Sequence, residues 1–160
     1  MRTRESNEYT AFTIFCDDIR DEVGGKVSFI GVYQSRSMFI HGTFPVTIPK
    51  FGFAVHYAQK KEIFVQPNAL RIYLPGDDPE KPSIEAEFPR VEDALKSQAR
   101  SSETCTPFIV AMARFVVAPL VINQPGTIKV RAVQGDEMIR LGALRVIQAP
   151  AEPTSESSTT

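Results

Sequence analysis

This sequence of 160 residues lacks several features that would place it in a well-defined class of protein. Its two cysteines, Cys16 and Cys105, are too few for a disulfide framework. We therefore expect two buried thiols in a reducing compartment, with one bridge as the alternative. The net charge of −1 provides no global field that would attract nucleic acid or an anionic membrane.

The sequence also lacks a recognisable membrane or secretory segment. The first ten residues, MRTRESNEYT, contain no apolar core of a signal peptide. The longest apolar stretch, Phe108 to Ile122, is interrupted by Arg114 and Pro119 and is shorter than the ~20 residues that span a bilayer. We therefore expect a soluble, cytoplasmic protein with no membrane partner. Nucleic acid is an equally unexpected partner, because no aromatic residues are interleaved with the basic ones.

The composition divides the chain into a central body and two polar ends. The apolar content of 42% is enough for the core of one domain. Residues 1–8 are polar, so we expect a flexible N-terminus. Residues 148–160 are rich in proline, serine, threonine and glutamate, which predicts a disordered tail. The single folded domain is therefore predicted to run from residue 9 to residue 147.

The central body shows the pattern of an all-β protein. Roughly eight or nine short runs of β-branched and aromatic residues are separated by glycines and prolines. Alternation is clear in 51–58, where Phe53, Val55 and Tyr57 share one face. Residues 26–33 are also predicted to be a strand of this body. Only one segment, near 90–100, favours a short helix, so crossover helices are lacking and the strands should be mostly antiparallel. We predict an antiparallel two-sheet β-sandwich, immunoglobulin-like or C2-like.

The last hairpin can be predicted residue by residue. Gly135 and Asp136 suit a two-residue turn, which places Arg131 directly opposite Arg140. Like charges in that position are unfavourable unless an acidic group lies between them. Beyond this pair the apolar phase slips, which predicts a β-bulge near Gly142. Two apolar pairs should form the inner face: Ala132 with Ile139, and Val130 with Leu141.

Three basic residues share the outer face of this hairpin. Lys129, Arg131 and Arg140 are candidate contacts for an anion or an acidic partner. The alternative is structural, because Glu85 or Glu87 on another strand would pair with them, or water would solvate them.

Two Asp-Asp pairs form the candidate metal site. If the strands run strictly up and down, the loops that hold Asp17 and Asp18, and Asp77 and Asp78, share one end of the sandwich. Calcium binds several carboxylate oxygens on flexible loops, so it is the candidate cation; no other cofactor is expected. The alternative is that each aspartate only caps a turn by accepting backbone N–H bonds.

No catalytic residue is predicted. The sequence has no G-x-S-x-G motif, and VGGKVS lacks the spacing of a phosphate-binding loop. The sequence favours a non-catalytic interaction or binding domain that docks a protein partner or a ligand. Three alternatives stay open. They are a calcium or small-ligand module, a homo-oligomer formed through an uncapped edge strand, and a small hydrolytic enzyme using Cys16, His41 or His56.

Residues 15–33, FCDDIRDEVGGKVSFIGVY, resemble the N-terminal signature of a small, uncharacterised bacterial family. The shared features are an aspartate-containing loop, a GGK turn and an S-x-IG-x-Y strand. The FP-x-x-x-PK segment at 44–50 and the closing RLGALRV at 140–146 are also similar. The resemblance implies a compact, soluble bacterial domain of unknown function, with no activity and no site residues to transfer.

Overall fold

The computed structural model describes residues 9–91 and 108–150, together with the backbone of residues 2–3. In these ranges the chain forms thirteen strands and one turn of 3-10 helix, Lys61–Ile63. No helix among these residues is long and apolar enough to cross a membrane. The strands are β1 (Arg2–Thr3), β2 (Tyr9–Cys16), β3 (Asp18–Glu22), β4 (Lys26–Ile30), β5 (Ser37–Ile40), β6 (Val46–Ile48), β7 (Phe51–Lys60), β8 (Ala69–Tyr73), β9 (Ile84–Glu87), β10 (Phe108–Val117), β11 (Leu120–Ile122), β12 (Gly126–Gln134) and β13 (Glu137–Gln148).

Two main sheets and two ribbons make up an all-β, sandwich-like fold, as predicted. The larger sheet has the order β1-β13-β12-β8-β9, and β5 pairs with the same edge of β13 as β1 does. The smaller sheet has the order β10-β7-β2. Strands β3 and β4 form one ribbon, and β6 and β11 form the other. Pairing is antiparallel except where β1 and β5 lie parallel to β13.

The hydrophobic core lies between the two main sheets. Phe53, Val55 and Tyr57 of β7 have no exposed surface, which confirms the alternation predicted for that strand. Opposite them, Val130 and Ile139 of the larger sheet are equally buried. Complete burial of one such side chain contributes about 1.5–3 kcal/mol to the free energy of unfolding. The alternation of buried and exposed residues therefore decides which face of each strand is available to a ligand.

The last hairpin largely confirms its predicted register. Gly135 occupies the turn with a φ of 59°, and Arg131 lies opposite Arg140. The prediction that Val130 faces Leu141 was wrong, because Val130 lies opposite Gly142. The bulge predicted near Gly142 is present. Leu141, one residue before Gly142, is the inserted residue that has no partner on β12. The insertion lets Leu141 point into the core on the same side as the next buried residues of the strand.

The first motif folds differently from the prediction. Residues 26–33 were expected to be a strand of the sandwich body, but β4 ends at Ile30 and, among the described strands, pairs only with β3. Gly24 and Gly25, with φ values of 81° and 72°, form the tip of this separate ribbon.

The ends of the predicted domain can be compared with the described residues. The short helix predicted near 90–100 falls mostly on residues outside the described ranges, as do Cys105 and most of the predicted disordered tail. Arg2 and Thr3, in the segment predicted to be flexible, pair with the start of β13. At the other end β13 continues to Gln148, and the Ala149 N–H donates to the Ile40 carbonyl at 2.9 Å.

Candidate functional site

Asp17 lies between β2 and β3 and binds groups of its own chain. Its Oδ1 accepts a hydrogen bond from the Tyr33 hydroxyl at 2.8 Å, and its N–H donates to the Ile30 carbonyl. Burial, and then the Asp17 carboxylate, raise the pKa of Tyr33 above its ordinary value. The Asp17 side chain also packs on Gly31, where a Cβ atom would lie 2.0 Å from Oδ2. Asp17 therefore joins the start of β3 to the residues at and after the end of β4, at the base of the ribbon.

Asp18 is held by two cations. Lys50 Nζ lies 2.6 Å from Oδ1, and Arg20 Nε lies 3.1 Å from Oδ2. These contacts, with Lys50 first, lower the pKa of the Asp18 carboxyl. The charge of Asp18 is thus compensated within the chain.

The second pair caps the turn between β8 and β9. Asp77 Oδ2 accepts the N–H groups of Leu74 and Ser83 at 2.8 Å each, and Oδ1 accepts the Ser83 hydroxyl at 2.9 Å. Asp78 Oδ1 accepts the Glu80 N–H at 2.8 Å. These are the turn-capping bonds that the alternative interpretation predicted.

The β6-β11 ribbon connects the surroundings of the two Asp-Asp pairs. Lys50, which binds Asp18, follows β6, while Gln124, which follows β11, packs against Gly76 beside Asp77. The carboxylates nevertheless bind different partners. Within the described part of the chain, no three or more aspartate, glutamate, histidine or cysteine residues form a group that could hold a metal ion. A calcium site at Asp17, Asp18, Asp77 and Asp78 stays a prediction.

The predicted basic residues lie on the outer face of the larger sheet and extend into a row of like charges. Across neighbouring strands, Arg131 of β12 is directly opposite Arg140 of β13 on one side and Arg71 of β8 on the other. We call these three residues the arginine row. Glu85 of β9 pairs with Arg71, with Nε and Oε2 2.6 Å apart. Among the described residues, the three guanidinium groups of the arginine row therefore pair with one carboxylate, which lies at the Arg71 end.

Arg131 is the central and least solvated member of the row. Its Nη1 donates to the carbonyls of Val130 at 2.8 Å and of Gly142, at the bulge, at 3.2 Å. Burial first, and then the charge of Arg140, lower the pKa of Arg131 below its ordinary value. Among the described residues no carboxylate contacts Arg131, and the hydrogen bonds of this half-buried charge go to carbonyl groups.

A hollow of about 600 Å³ lies beside the row, where β2, residues 32–36 and the bulge of β13 meet. The Thr13 hydroxyl joins the strands by donating to the Leu141 carbonyl at 3.0 Å. Arg36, Arg131 and Arg140 line the hollow, and its lining contains no acidic residue of the described chain. We call it the arginine groove. Its volume lies within the range of small-molecule sites.

Lys129 lines a second hollow of about 370 Å³ on the same sheet face. Arg131 contributes to both hollows, and Tyr73 lies in the second one opposite Lys129. The three basic residues predicted from sequence therefore share one sheet face, but Lys129 and Arg140 line different hollows.

Arg36 was missed by sequence reasoning. It approaches the groove only because β5 lies alongside β13, where the Arg145 N–H donates to the Arg36 carbonyl at 2.9 Å. Its φ of 53° is the only positive value of a non-glycine residue in the described ranges. Backbone strain of this kind often occurs at functional sites. No sequence pattern predicts the positive φ of Arg36.

The residues of the enzymatic alternative are not assembled into a catalytic pair in the described chain. Cys16 is a buried, free thiol whose Sγ lies 3.8 Å from the Gly52 carbonyl, and burial raises its pKa. His56 stacks on Phe12, with ring centroids 4.5 Å apart, and burial lowers its pKa. Cys105 lies outside the described residues. The hydrolytic hypothesis stays untested.

Comparisons with models of protein families, with curated proteins and with solved structures found no match to this chain. The resemblance of residues 15–33 to a bacterial family therefore stays a prediction.

Proposed function

We propose that this chain is a non-catalytic binding domain whose ligand carries negative charge and occupies the arginine groove. The observation that supports the proposal is the environment of Arg131. This residue is half-buried, faces Arg140 and Arg71 across both neighbouring strands, and has no carboxylate contact among the described residues.

The cost of this arrangement supports an anionic ligand. Removing a charged group from water is unfavourable unless a counter-charge and hydrogen bonds replace the water. Directly opposed like charges add a further cost of roughly 0.2–1 kcal/mol. A carboxylate or phosphate would offset both costs, because the planar guanidinium group donates two parallel bonds to such an anion.

A purely structural role accounts for only part of the groove. The bonds from Arg131 to the carbonyls of Val130 and Gly142 stabilise the bulge whether or not a ligand binds. Arg36 and Arg140 also line the groove, yet within the described residues neither forms an ion pair. Three cations around one hollow are more than the bulge requires.

Thermal unfolding with added pyrophosphate, at constant ionic strength, tests the proposal. A ligand present at 100 times its Kd should raise the free energy of unfolding by about 2.7 kcal/mol. Arg140→Gln should weaken binding at least about tenfold, which corresponds to roughly 1.4 kcal/mol. Lys26→Gln, which removes one exposed positive charge at the tip of the β3-β4 ribbon, is the matched control and should bind like the parent. If neither pyrophosphate nor citrate stabilises the parent, the proposal is wrong.

Self-association is a second candidate function, favoured by the outer face of the smaller sheet. Within the described residues this face is mostly apolar. Its cations are Lys60, which lies opposite Phe108 at one end, and Arg114, which is paired with Asp21 at 2.7 Å. Burial lowers the pKa of His56 and so favours its neutral form. The face therefore presents little net charge that would repel a second copy. Its large exposed apolar residues are Phe12, Phe108, Val110 and Met112.

Sedimentation over a concentration series tests self-association. Met112→Glu places a charge at a side chain that is 58% exposed, so the monomer should fold while the dimer dissociates. Val121→Glu on β11 is the control, with an exposure of 43%, and should dimerise like the parent. A parent that sediments as a monomer at every concentration would exclude this function.

A further inference from the structure

The arginine groove has apolar walls as well as cationic ones. Phe12 and Val32 line it and are 46% and 42% exposed. Ala11 and Ala143 add smaller apolar surfaces. Exposed apolar side chains are common on proteins when they are scattered singly, but here they face one concave space that also holds three arginines.

The walls of the groove are held in place by contacts outside it. Phe12 is backed by the His56 ring, which lies nearly parallel to it with an interplanar angle of 8°. Two carbonyls orient the Arg131 guanidinium, and the pairing of β5 with β13 positions Arg36. A site whose side chains are ordered before binding loses less conformational entropy when a ligand enters.

The two kinds of wall together select the chemistry of the ligand. An inorganic anion would contact the arginines but would leave Phe12 and Val32 in water. An anion with an apolar or aromatic body would also cover these side chains. Burial of apolar surface is worth up to about fourfold in affinity for each methylene group. The volume of about 600 Å³ accommodates such a body beside the charged group.

We propose that the arginine groove binds a small amphipathic anion, with its carboxylate or phosphate at Arg36, Arg131 and Arg140 and its apolar part on Phe12 and Val32. This inference rests on the proposed function and adds the chemical class of the ligand.

Titration calorimetry of the full chain with phosphate, butyl phosphate and octyl phosphate tests the inference, each ligand being kept below its micelle concentration. Affinity should rise along the series, by more than tenfold from phosphate to octyl phosphate. Phe12→Ala should lower the affinity for octyl phosphate at least fivefold and leave the affinity for phosphate unchanged. Arg140→Gln should lower the affinity for all three ligands. Phe39→Ala is the matched control, because Phe39 is 56% exposed on β5 and does not line the groove.

The outcomes separate the inference from the function on which it rests. Equal affinity for phosphate and octyl phosphate would overturn the amphipathic ligand while leaving anion binding intact. Absence of binding by all three ligands would overturn both. Binding to anionic vesicles without binding of dispersed octyl phosphate would point to a membrane surface and would also overturn the inference. If Phe12→Ala lowers the melting temperature, Val32→Thr repeats the test on the same wall.

Discussion

The outer faces of the two main sheets differ in chemistry although both come from the same alternating pattern. On the larger sheet, the outward residues Arg71, Arg131 and Arg140 are basic, and the inward residues are apolar. On the smaller sheet, outward residues such as Phe12 and Met112 are apolar as well, so β2 and β10 carry hydrophobic side chains on both faces.

Each of the two outer faces differs from an ordinary solvated surface in its own way. Within the described residues, the outer face of the larger sheet carries more positive than negative charge, because Glu85 pairs only with Arg71. The apolar face leaves large side chains exposed in the described chain. Unbalanced charge favours an anionic ligand, whereas exposed apolar surface favours another apolar surface. The arginine groove lies where β2 of the smaller sheet meets β13 of the larger sheet, and it is both cationic and apolar.

The largest expected effect comes from adding a side chain where β2 packs against β13. An added Cβ at Gly142 would lie 2.8 Å from Thr13 Cβ, so Gly142→Val should force β2 and β13 apart. We expect a loss of about 2–3 kcal/mol in the free energy of unfolding, measured by urea denaturation, because overpacking of this kind is costly. Ala143→Val, at the adjacent exposed position, should change it by less than about 0.5 kcal/mol. If both variants lost the same free energy of unfolding, β2 and β13 would not be tightly packed at Gly142.

A smaller effect should follow from removing Glu85, the one carboxylate of the described residues that pairs with the arginine row. Glu85→Gln frees Arg71 and should destabilise the protein by less than about 1 kcal/mol, since the pair is partly exposed. The same change should strengthen pyrophosphate binding severalfold, because it adds an uncompensated cation to the row. Glu87→Gln, on the same strand opposite Ala69, is the control. Calorimetry that finds unchanged affinity in Glu85→Gln would show that Arg71 takes no part in binding.

The apolar face should respond to pH through His56. Burial lowers the pKa of His56 in the folded chain, so the unfolded chain binds a proton more readily. Stability should be fully present above the ordinary value of about 6.5 and should decline as the pH falls through it toward the lower, folded value. Melting temperatures between pH 8 and pH 5 should show this decline in the parent and a flatter profile in His56→Gln. His41→Gln is the control and should show the same decline as the parent. If its profile were as flat as that of His56→Gln, the decline would not be specific to His56.

The smallest expected effect concerns repulsion within the arginine row. Without ligand, Arg140→Gln should raise the free energy of unfolding by roughly 0.2–0.5 kcal/mol, because it removes a directly opposed like charge. The gain should disappear in 1 M salt, where the screening length is about 3 Å. Arg145→Gln, opposite Thr127, should show no gain. Destabilisation by Arg140→Gln at low salt would contradict the idea of an electrostatically unfavourable row.

Much of the fold and part of the site follow from short-range patterns. Alternation alone placed Tyr57 in the core, and the Gly135 turn placed Arg131 opposite Arg140. The pairing of Val130 was wrong by one residue, because a bulge can be accommodated at several adjacent positions and packing of the core selects one of them. Residues 26–33 were predicted as a strand of the body, whereas β4 belongs to the separate β3-β4 ribbon, since its apolar residues resemble those of a buried strand.

By itself the sequence determined the all-β class, the inward residues of β7, and the charge on the outer face of the last hairpin. These properties depend on neighbours a few residues apart, which the period of two records directly. The tertiary structure alone decided that Arg71 extends the row and that Arg36 and Phe12 meet at the groove. Strand order and the seam between sheets arise from contacts between residues far apart in the chain, and no local pattern encodes which strands become neighbours.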